Sequence, residues 1–111
     1  MNLETMCALM NSIKDPVVFV DTGHVIRYLN NAGVDNYAKW GGAELIGKSI
    51  FDCHNDASCA TIREIFAAMQ NGEQERLIFE NEKKRIFMRA VRADDGQLLG
   101  YFERYEWLDN Q

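Results

Sequence analysis

Residues 16–33 read PVVFVDTGHVIRYLNNAG and contain two short apolar runs separated by turn residues. The first run, 17–20, and the second, 25–29, are rich in the β-branched and aromatic side chains that strands favour. The tetrapeptide DTGH between them has the aspartate and glycine typical of tight turns. The pattern predicts a β-hairpin over residues 17–29, with His24 exposed at its turn. A helix over about 32–39 is expected to follow.

The rest of the chain predicts a helical block between this hairpin and three further strands. A helix is expected over 2–13, where apolar residues recur every three or four positions before Pro16. A long helix is expected over 56–69, capped by Asn55 or Asp56. The other predicted elements are a short turn over 43–46, a turn-like helix over 47–55, and strands over 74–80, 84–92 and 97–107. Strands on both sides of a helical block indicate an α+β domain with an antiparallel sheet.

Composition excludes several classes of function. The chain has 111 residues, with 12 Lys or Arg and 17 Asp or Glu, so its formal charge is −5. This length and the 47% apolar content are typical of one globular domain. No run approaches the roughly 20 apolar residues of a membrane span, and no signal peptide is visible. We therefore expect a cytoplasmic protein without membrane contact. The acidic balance argues against nucleic acid as a partner, and no catalytic constellation stands at a credible spacing, so no enzyme activity is expected.

Four segments, in this order and at these spacings, resemble PAS domains. They are LMNSIKDPVVFVD (9–21), GHVIRYLNNAG (23–33), ELIGKSIFD (44–52) and DDGQLLGYFERYE (94–106). In that family they correspond to the first strand, a strand with an Asn-x-Ala entry to a helix, an L-x-G turn, and an Asp-Gly hairpin before a strand that begins with glycine. The resemblance implies a five-stranded antiparallel sheet with helices across one face and a ligand cavity between them. It divides the chain into a flanking helix, 1–14, and a PAS domain, 15–108.

The resemblance also implies a function and a partner. PAS domains are sensor and interaction modules, and their output domain is expected to lie outside this chain. The apolar stripe of the first helix has no partner within its own helix, so it must pack on the sheet or on a second chain. Of the two, a homodimer contact through residues 3–13 is expected. The stripe consists of Leu3, Met6, Cys7, Met10 and Ile13.

The turn Cys53-His54-Asn55, just before the long predicted helix, is the sharpest candidate for chemistry. A neutral imidazole in an apolar pocket is a good axial ligand for heme iron. In the heme-binding PAS domains of aerotaxis-type receptors the proximal histidine lies in this turn. The resemblance of GKSIFDCH, in which His54 follows Gly47 by seven residues, implies that His54 binds heme b and that the domain senses a diatomic gas or redox state.

The remaining cofactor-binding residues are predicted from strand alternation and the helical stripe. They are Ile62, Phe66, Ile86, Met88, Tyr105 and Trp107. Aerotaxis-type receptors use a Trp on the last strand to hydrogen-bond oxygen, and by spacing Tyr105 stands at that place here. Glu103 falls on the same parity, so it is either a buried polar group or is turned outward by a bulge.

Other interpretations of this turn stay open. His54 could cap backbone or pack half-buried without any ligand, in a PAS dimerisation module whose cavity holds a small organic ligand or nothing. Cys53, His54 and Cys59 could hold zinc, although adjacent Cys and His do not readily aim at one ion. Cysteines near a helix N-terminus could instead be redox-sensitive thiolates. A covalent c-type heme is excluded because Cys-x-x-Cys-His is missing.

Overall fold

The computed structural model describes residues 1–108. Its strands are β1 (Val18–Asp21), β2 (Ile26–Leu29), β3 (Glu75–Glu80), β4 (Lys84–Arg92) and β5 (Leu98–Trp107). They form one antiparallel sheet in the order β2-β1-β5-β4-β3. The expected α+β fold with five antiparallel strands is confirmed. The first and last strands in the order remain edges, so the sheet is open.

The helices follow the local signals in the sequence. They are α1 (Leu3–Asn11), α2 (Asn31–Asn36) and α3 (Asp56–Gln70), with short 3₁₀ helices at Ala38–Trp40, Gly42–Leu45 and Ile50–Cys53. The side chain of Asn55 caps α3 by accepting from the Ser58 backbone N–H at 2.8 Å. The helix predicted over 32–39 is split, because Tyr37 leaves helical geometry with φ −107°. No helix within residues 1–108 is both long and apolar enough to cross a membrane.

The register between β4 and β5 determines which side chains lie on the inner face of the sheet, the face toward α3. Met88 lies opposite Glu103 and Ala90 opposite Tyr101, and the pairing is regular from Lys84 to Val91. Because side chains alternate along a strand, Tyr101, Glu103 and Tyr105 share one face. That face packs against α3, whose Ile65 and Met69 are almost fully buried. The apolar core therefore lies between β5 and α3.

Gly100 lets β5 approach β1 closely. Its φ is 156°, and a Cβ built on it would lie 2.0 Å from the carbonyl oxygen of Val20. Any larger residue would push the two strands apart at the point where they pair. The sequence pattern of a last strand beginning with glycine thus has a steric cause.

Asn30 ties the N-terminal region to the sheet and is fully buried. Its side-chain oxygen accepts from the backbone N–H groups of Val17 at 2.9 Å and Gly33 at 2.8 Å. Its amide donates to three carbonyl oxygens in and after α1, those of Met10, Ile13 and Asp15. The polar side chains of Asn30 and Asn11 therefore connect the flanking helix to the domain, whereas none of the residues of α1 itself is buried. The division into 1–14 and 15–108 stays a prediction.

Candidate functional site

A cavity of about 290 Å³ lies between α3 and the inner face of the sheet. Its helical wall includes Ile62 and Ile65, and its sheet wall includes Met88. This volume is at the lower end of the roughly 300–1,000 Å³ that small-molecule sites occupy. Apolar side chains form most of the wall, so its few polar groups determine what the cavity can bind.

His54 lies on the cavity wall, in the turn that follows the Ile50–Cys53 3₁₀ helix. Its Nδ1 is 2.9 Å from the carbonyl oxygen of Ile50. Because a carbonyl oxygen only accepts, Nδ1 carries the proton and donates it in this bond. The lone pair of the neutral imidazole is then on Nε2. This geometry makes Nε2 available as a ligand atom.

The structure brings only part of the predicted set to this cavity. Four of the predicted residues are on its wall, namely His54, Ile62, Met88 and Tyr105. The other three are not among the described residues that border the cavity, namely Phe66, Ile86 and Trp107. The predicted roles of all seven in cofactor binding stay predictions.

The structure places the three missing residues as follows. Phe66 is on the buried side of α3, where it packs against Tyr101 with ring centroids 6.0 Å apart. Ile86 lies opposite Tyr105 in the β4–β5 register, and Trp107 lies two residues beyond Tyr105. Trp107 is 57% exposed, and its indole donates to the Asp15 carboxylate at 2.7 Å. Trp107 has the same strand parity as Tyr105, but the sheet extends past the cavity at that point.

Glu103 faces into the cavity. The β4–β5 pairing contains no irregularity around it, so the bulge that would have turned it outward does not occur between Lys84 and Val91. Burial raises the pKa of the Glu103 carboxyl, and the nearby His54 and Lys84 side chains only partly oppose that shift. Its ordinary value is 4.5, and the upward shift favours the neutral acid.

Three phenol groups line the same cavity, those of Tyr37, Tyr101 and Tyr105. Burial raises the pKa of Tyr105 to about 12, and it raises the pKa values of Tyr37 and Tyr101 as well. All three hydroxyls therefore keep their protons near neutral pH and are able to donate hydrogen bonds. Sequence reasoning missed Tyr37, because the split in the predicted helix is what turns it toward the cavity.

His24 is packed inside rather than exposed, so that prediction was wrong. Its ring lies between those of Phe51 and Phe66, with centroids 4.8 and 4.6 Å away. Its Nδ1 is 2.9 Å from the hydroxyl oxygen of Tyr101. Its φ of 65° is in the left-handed region that few non-glycine residues occupy. This backbone conformation directs the ring inward, and no local pattern in DTGH signals it.

The thiols of the two cysteines near His54 contact backbone carbonyl oxygens. The Cys53 thiol donates to the carbonyl oxygen of Ile50 at 3.2 Å, and the Cys59 thiol contacts the carbonyl oxygen of Phe51 at 3.5 Å. Burial raises the pKa of Cys53, which is opposite to the lowered pKa that a reactive thiolate needs. Within residues 1–108, no group of three or more His, Cys, Asp or Glu side chains is placed to hold a metal ion.

A family model described as the PAS fold matches residues 10–106. The chain belongs to the PAS family. The recognition based on the four sequence segments is thereby confirmed, and a sensor or interaction module is the general role of PAS domains. A comparison with curated protein sequences found no significant match.

Solved structures similar to this PAS domain include three bacterial proteins. A C-terminal domain from Streptococcus mutans is 18% identical with a TM-score of 0.79, covering 96% of this chain and 85% of that one. The PAS domain of a Colwellia psychrerythraea protein is 14% identical with a TM-score of 0.65, covering 96% of both chains. The Aer2 receptor from Vibrio cholerae, described as a dual PAS-heme oxygen sensor, is 16% identical with a TM-score of 0.56, covering 85% of this chain and 94% of that one. At these identities the similarity shows the fold alone.

Proposed function

We propose that this PAS domain is the sensor of a signalling protein and that its cavity binds heme b, with His54 as the axial ligand. The observation that carries the proposal is the fixed tautomer of His54, whose Nδ1–H donates to the Ile50 carbonyl at 2.9 Å. Histidines that bind metals commonly anchor their second ring nitrogen to a backbone carbonyl in this way. The Aer2 receptor from Vibrio cholerae, a PAS-heme oxygen sensor, shares the fold.

The residues on the wall fit the chemistry of such a group, although the enclosed volume is small for it. An imidazole nitrogen, an apolar helical wall and hydroxyl donors on the sheet are a suitable set for a porphyrin and a polar distal side. The volume of about 290 Å³ means that the cavity would have to widen when the cofactor enters.

When bound, heme supplies an iron centre that takes up diatomic gases and changes redox state. The chain supplies the rest of the sensing device. His54 lies on the cavity wall with Nε2 free of the bond that Nδ1 makes to Ile50, and Tyr105 presents a protonated hydroxyl from β5. A change in hydrogen bonding at Tyr105 would act on β5, whose end is joined to Asp15 by the Trp107 indole. This bond is a direct route from the sensor strand to the segment after α1.

The test is an absorption spectrum of the protein after hemin addition, for the wild type, His54→Ala and His24→Asn. The second variant is the matched control, because His24 is the other histidine of the chain and Asn tolerates its left-handed backbone. We expect a sharp Soret band in the wild type and in His24→Asn, and its loss in His54→Ala. An unchanged band in His54→Ala would remove His54 from the assignment.

A small organic ligand bound directly in the cavity is the second candidate. It is favoured by the volume of about 290 Å³ and by the polar groups of Glu103 and the three tyrosines on the wall. Loose hemin binding that does not depend on His54 would shift the assignment to this candidate. In either case the proposed role is sensory and not catalytic.

We also propose that the domain forms a homodimer through residues 3–13. The apolar side chains on this helix are largely open to solvent, with Leu3 76%, Leu9 55% and Met6 48% exposed. Next to it, Met10 and Phe102 border a second apolar cavity of about 210 Å³ on the outer face of the sheet. Contiguous apolar surface of this kind marks an interface more often than a free surface.

A further inference from the structure

Glu103 is a polar residue of the cavity for which the heme proposal gives no role. It is central on the sheet wall, between Tyr101 and Tyr105 along β5 and opposite Met88 on β4. No hydrogen bond joins its carboxyl group to any residue from 1 to 108, His54 included. Placing a carboxyl group in a mostly apolar cavity without a protein partner costs free energy of folding. This cost indicates that Glu103 has a role in binding a molecule that enters the cavity.

We infer that Glu103 hydrogen-bonds the molecule held in this cavity, and that it does so as a donor, from a neutral carboxyl group. The inference rests on the proposed function only in taking the cavity as a ligand site. A neutral carboxylic acid has one O–H donor, whereas an ionised carboxylate can only accept. The protonation state of Glu103 therefore selects for ligand atoms that accept a hydrogen bond, such as the terminal oxygen of a diatomic gas or a carbonyl group.

The groups that face Glu103 support the neutral form. Tyr37 and Tyr105 are uncharged phenols near it, and His54 and Lys84 are the two groups that act against the rise in its pKa. Among residues 1–108, neither His54 nor Lys84 lies within 4.0 Å of its carboxylate as an ion-pair partner. Burial consequently outweighs the favourable charges, and the pKa of Glu103 rises.

The arginines of β4 and β5 cannot supply the missing partner. Arg89 and Arg104 are on the opposite face, where both pair with Glu75. Arg85 pairs with Glu80 and Glu106 on that face. These three arginines are thus paired with carboxylates outside the cavity, and none of them pairs with Glu103.

Two variants of Glu103 distinguish the effect of its hydrogen-bond donor from the effect of its side-chain shape, and a variant of Glu106 is the control. Glu103→Gln keeps the shape and an N–H donor but cannot titrate, whereas Glu103→Leu removes the donor. Glu106→Gln is the matched control, since Glu106 is on the same strand with the opposite parity. Circular dichroism verifies the fold of each variant.

The first measurement needs no cofactor. An infrared spectrum of the protein at neutral pH is expected to contain the carbonyl stretch of a protonated carboxylic acid. The band should disappear in Glu103→Gln and persist in Glu106→Gln. A wild type without this band has an ionised Glu103, which would overturn the inference even if Glu103→Leu did not fold.

The second measurement is the rate of oxygen release from the reduced, hemin-loaded protein. Loss of one hydrogen bond should speed release roughly 3- to 10-fold in Glu103→Leu, with Glu103→Gln within about twofold of the wild type. If release is unchanged in Glu103→Leu but faster in Tyr105→Phe, the donor is Tyr105 and the inference is wrong. If the wild type takes up no hemin, the proposed heme function fails, while a surviving acid band still supports Glu103 as the donor of the cavity.

Discussion

At the scale of single residues, Asn30 joins several segments of this fold through its buried side chain. It has no exposed surface, and its amide and oxygen contact five backbone groups of three segments. A buried polar side chain is favourable only when its hydrogen bonds are made. Here they are made, and they join the end of α1, the start of β1 and the first turn of α2.

We predict that Asn30→Ala lowers the free energy of unfolding by about 3 kcal/mol. The substitution removes the N-cap of α2, worth about 1 kcal/mol, and leaves buried backbone groups without partners, at about 1–3 kcal/mol. Urea denaturation measures the change. Asn31→Ala is the control, because Asn31 is exposed, and its effect should be within about 0.5 kcal/mol. A loss below about 1 kcal/mol for Asn30→Ala would contradict the assigned role.

At the scale of elements, the turn between β1 and β2 contacts residues that line the cavity. The backbone carbonyl of His24 accepts from the Ile50 N–H at 2.9 Å, and the Ile50 carbonyl in turn accepts from Nδ1 of His54 at 2.9 Å. The His24 ring contacts Tyr101, which lines the cavity. The turn is therefore connected to both walls of the site, although it contributes no side chain to them.

The state of His24 predicts a pH dependence of stability. Burial, helped by the charge of Arg63 and opposed by Asp21, lowers the pKa of His24 below its ordinary value of 6.5. The unfolded chain therefore binds a proton at a higher pH than the folded chain does. Stability should be complete above about pH 6.5 and should fall as the pH drops from there through the folded pKa.

Urea denaturation at pH 7.5 and pH 5.5 measures this dependence in the wild type and in His24→Asn. The variant cannot titrate at this position, so its loss of stability between the two conditions should be smaller. Equal losses in the two proteins would show that His24 does not contribute to the acid sensitivity.

At the scale of the whole molecule, the two ends of the domain meet. The Trp107 indole at the end of β5 donates to the carboxylate of Asp15 at 2.7 Å, and the backbone carbonyl of the same residue accepts from the Asn30 amide. A displacement of β5 by events in the cavity would therefore reach the segment that follows α1. In the proposed homodimer, the exposed apolar face of α1 would carry this displacement to the second chain.

We predict that the wild type is a dimer and that Leu9→Glu makes it monomeric. Leu9 is 55% exposed on α1, and a charge at that place cannot be buried in an apolar interface without a large cost. Analytical ultracentrifugation over a range of concentrations measures the mass. Ile46→Glu is the control, because Ile46 is 51% exposed outside α1. A monomeric wild type, or dissociation by Ile46→Glu instead, would exclude this interface.

Local chemistry was sufficient to predict the hairpin of residues 17–29, the long helix with its Asn55 cap and the three later strands. Each depends on neighbours within a few positions. The same holds for His54, whose place before α3 follows from that cap.

The tertiary structure alone determined the surroundings of the site. Glu103 enters the cavity because the β4–β5 register is regular, and Trp107 leaves it because the sheet extends past α3. His24 turns inward because its left-handed backbone directs its ring between Phe51 and Phe66. These outcomes depend on contacts between residues far apart in sequence, and the energy of such contacts is set only when the elements pack.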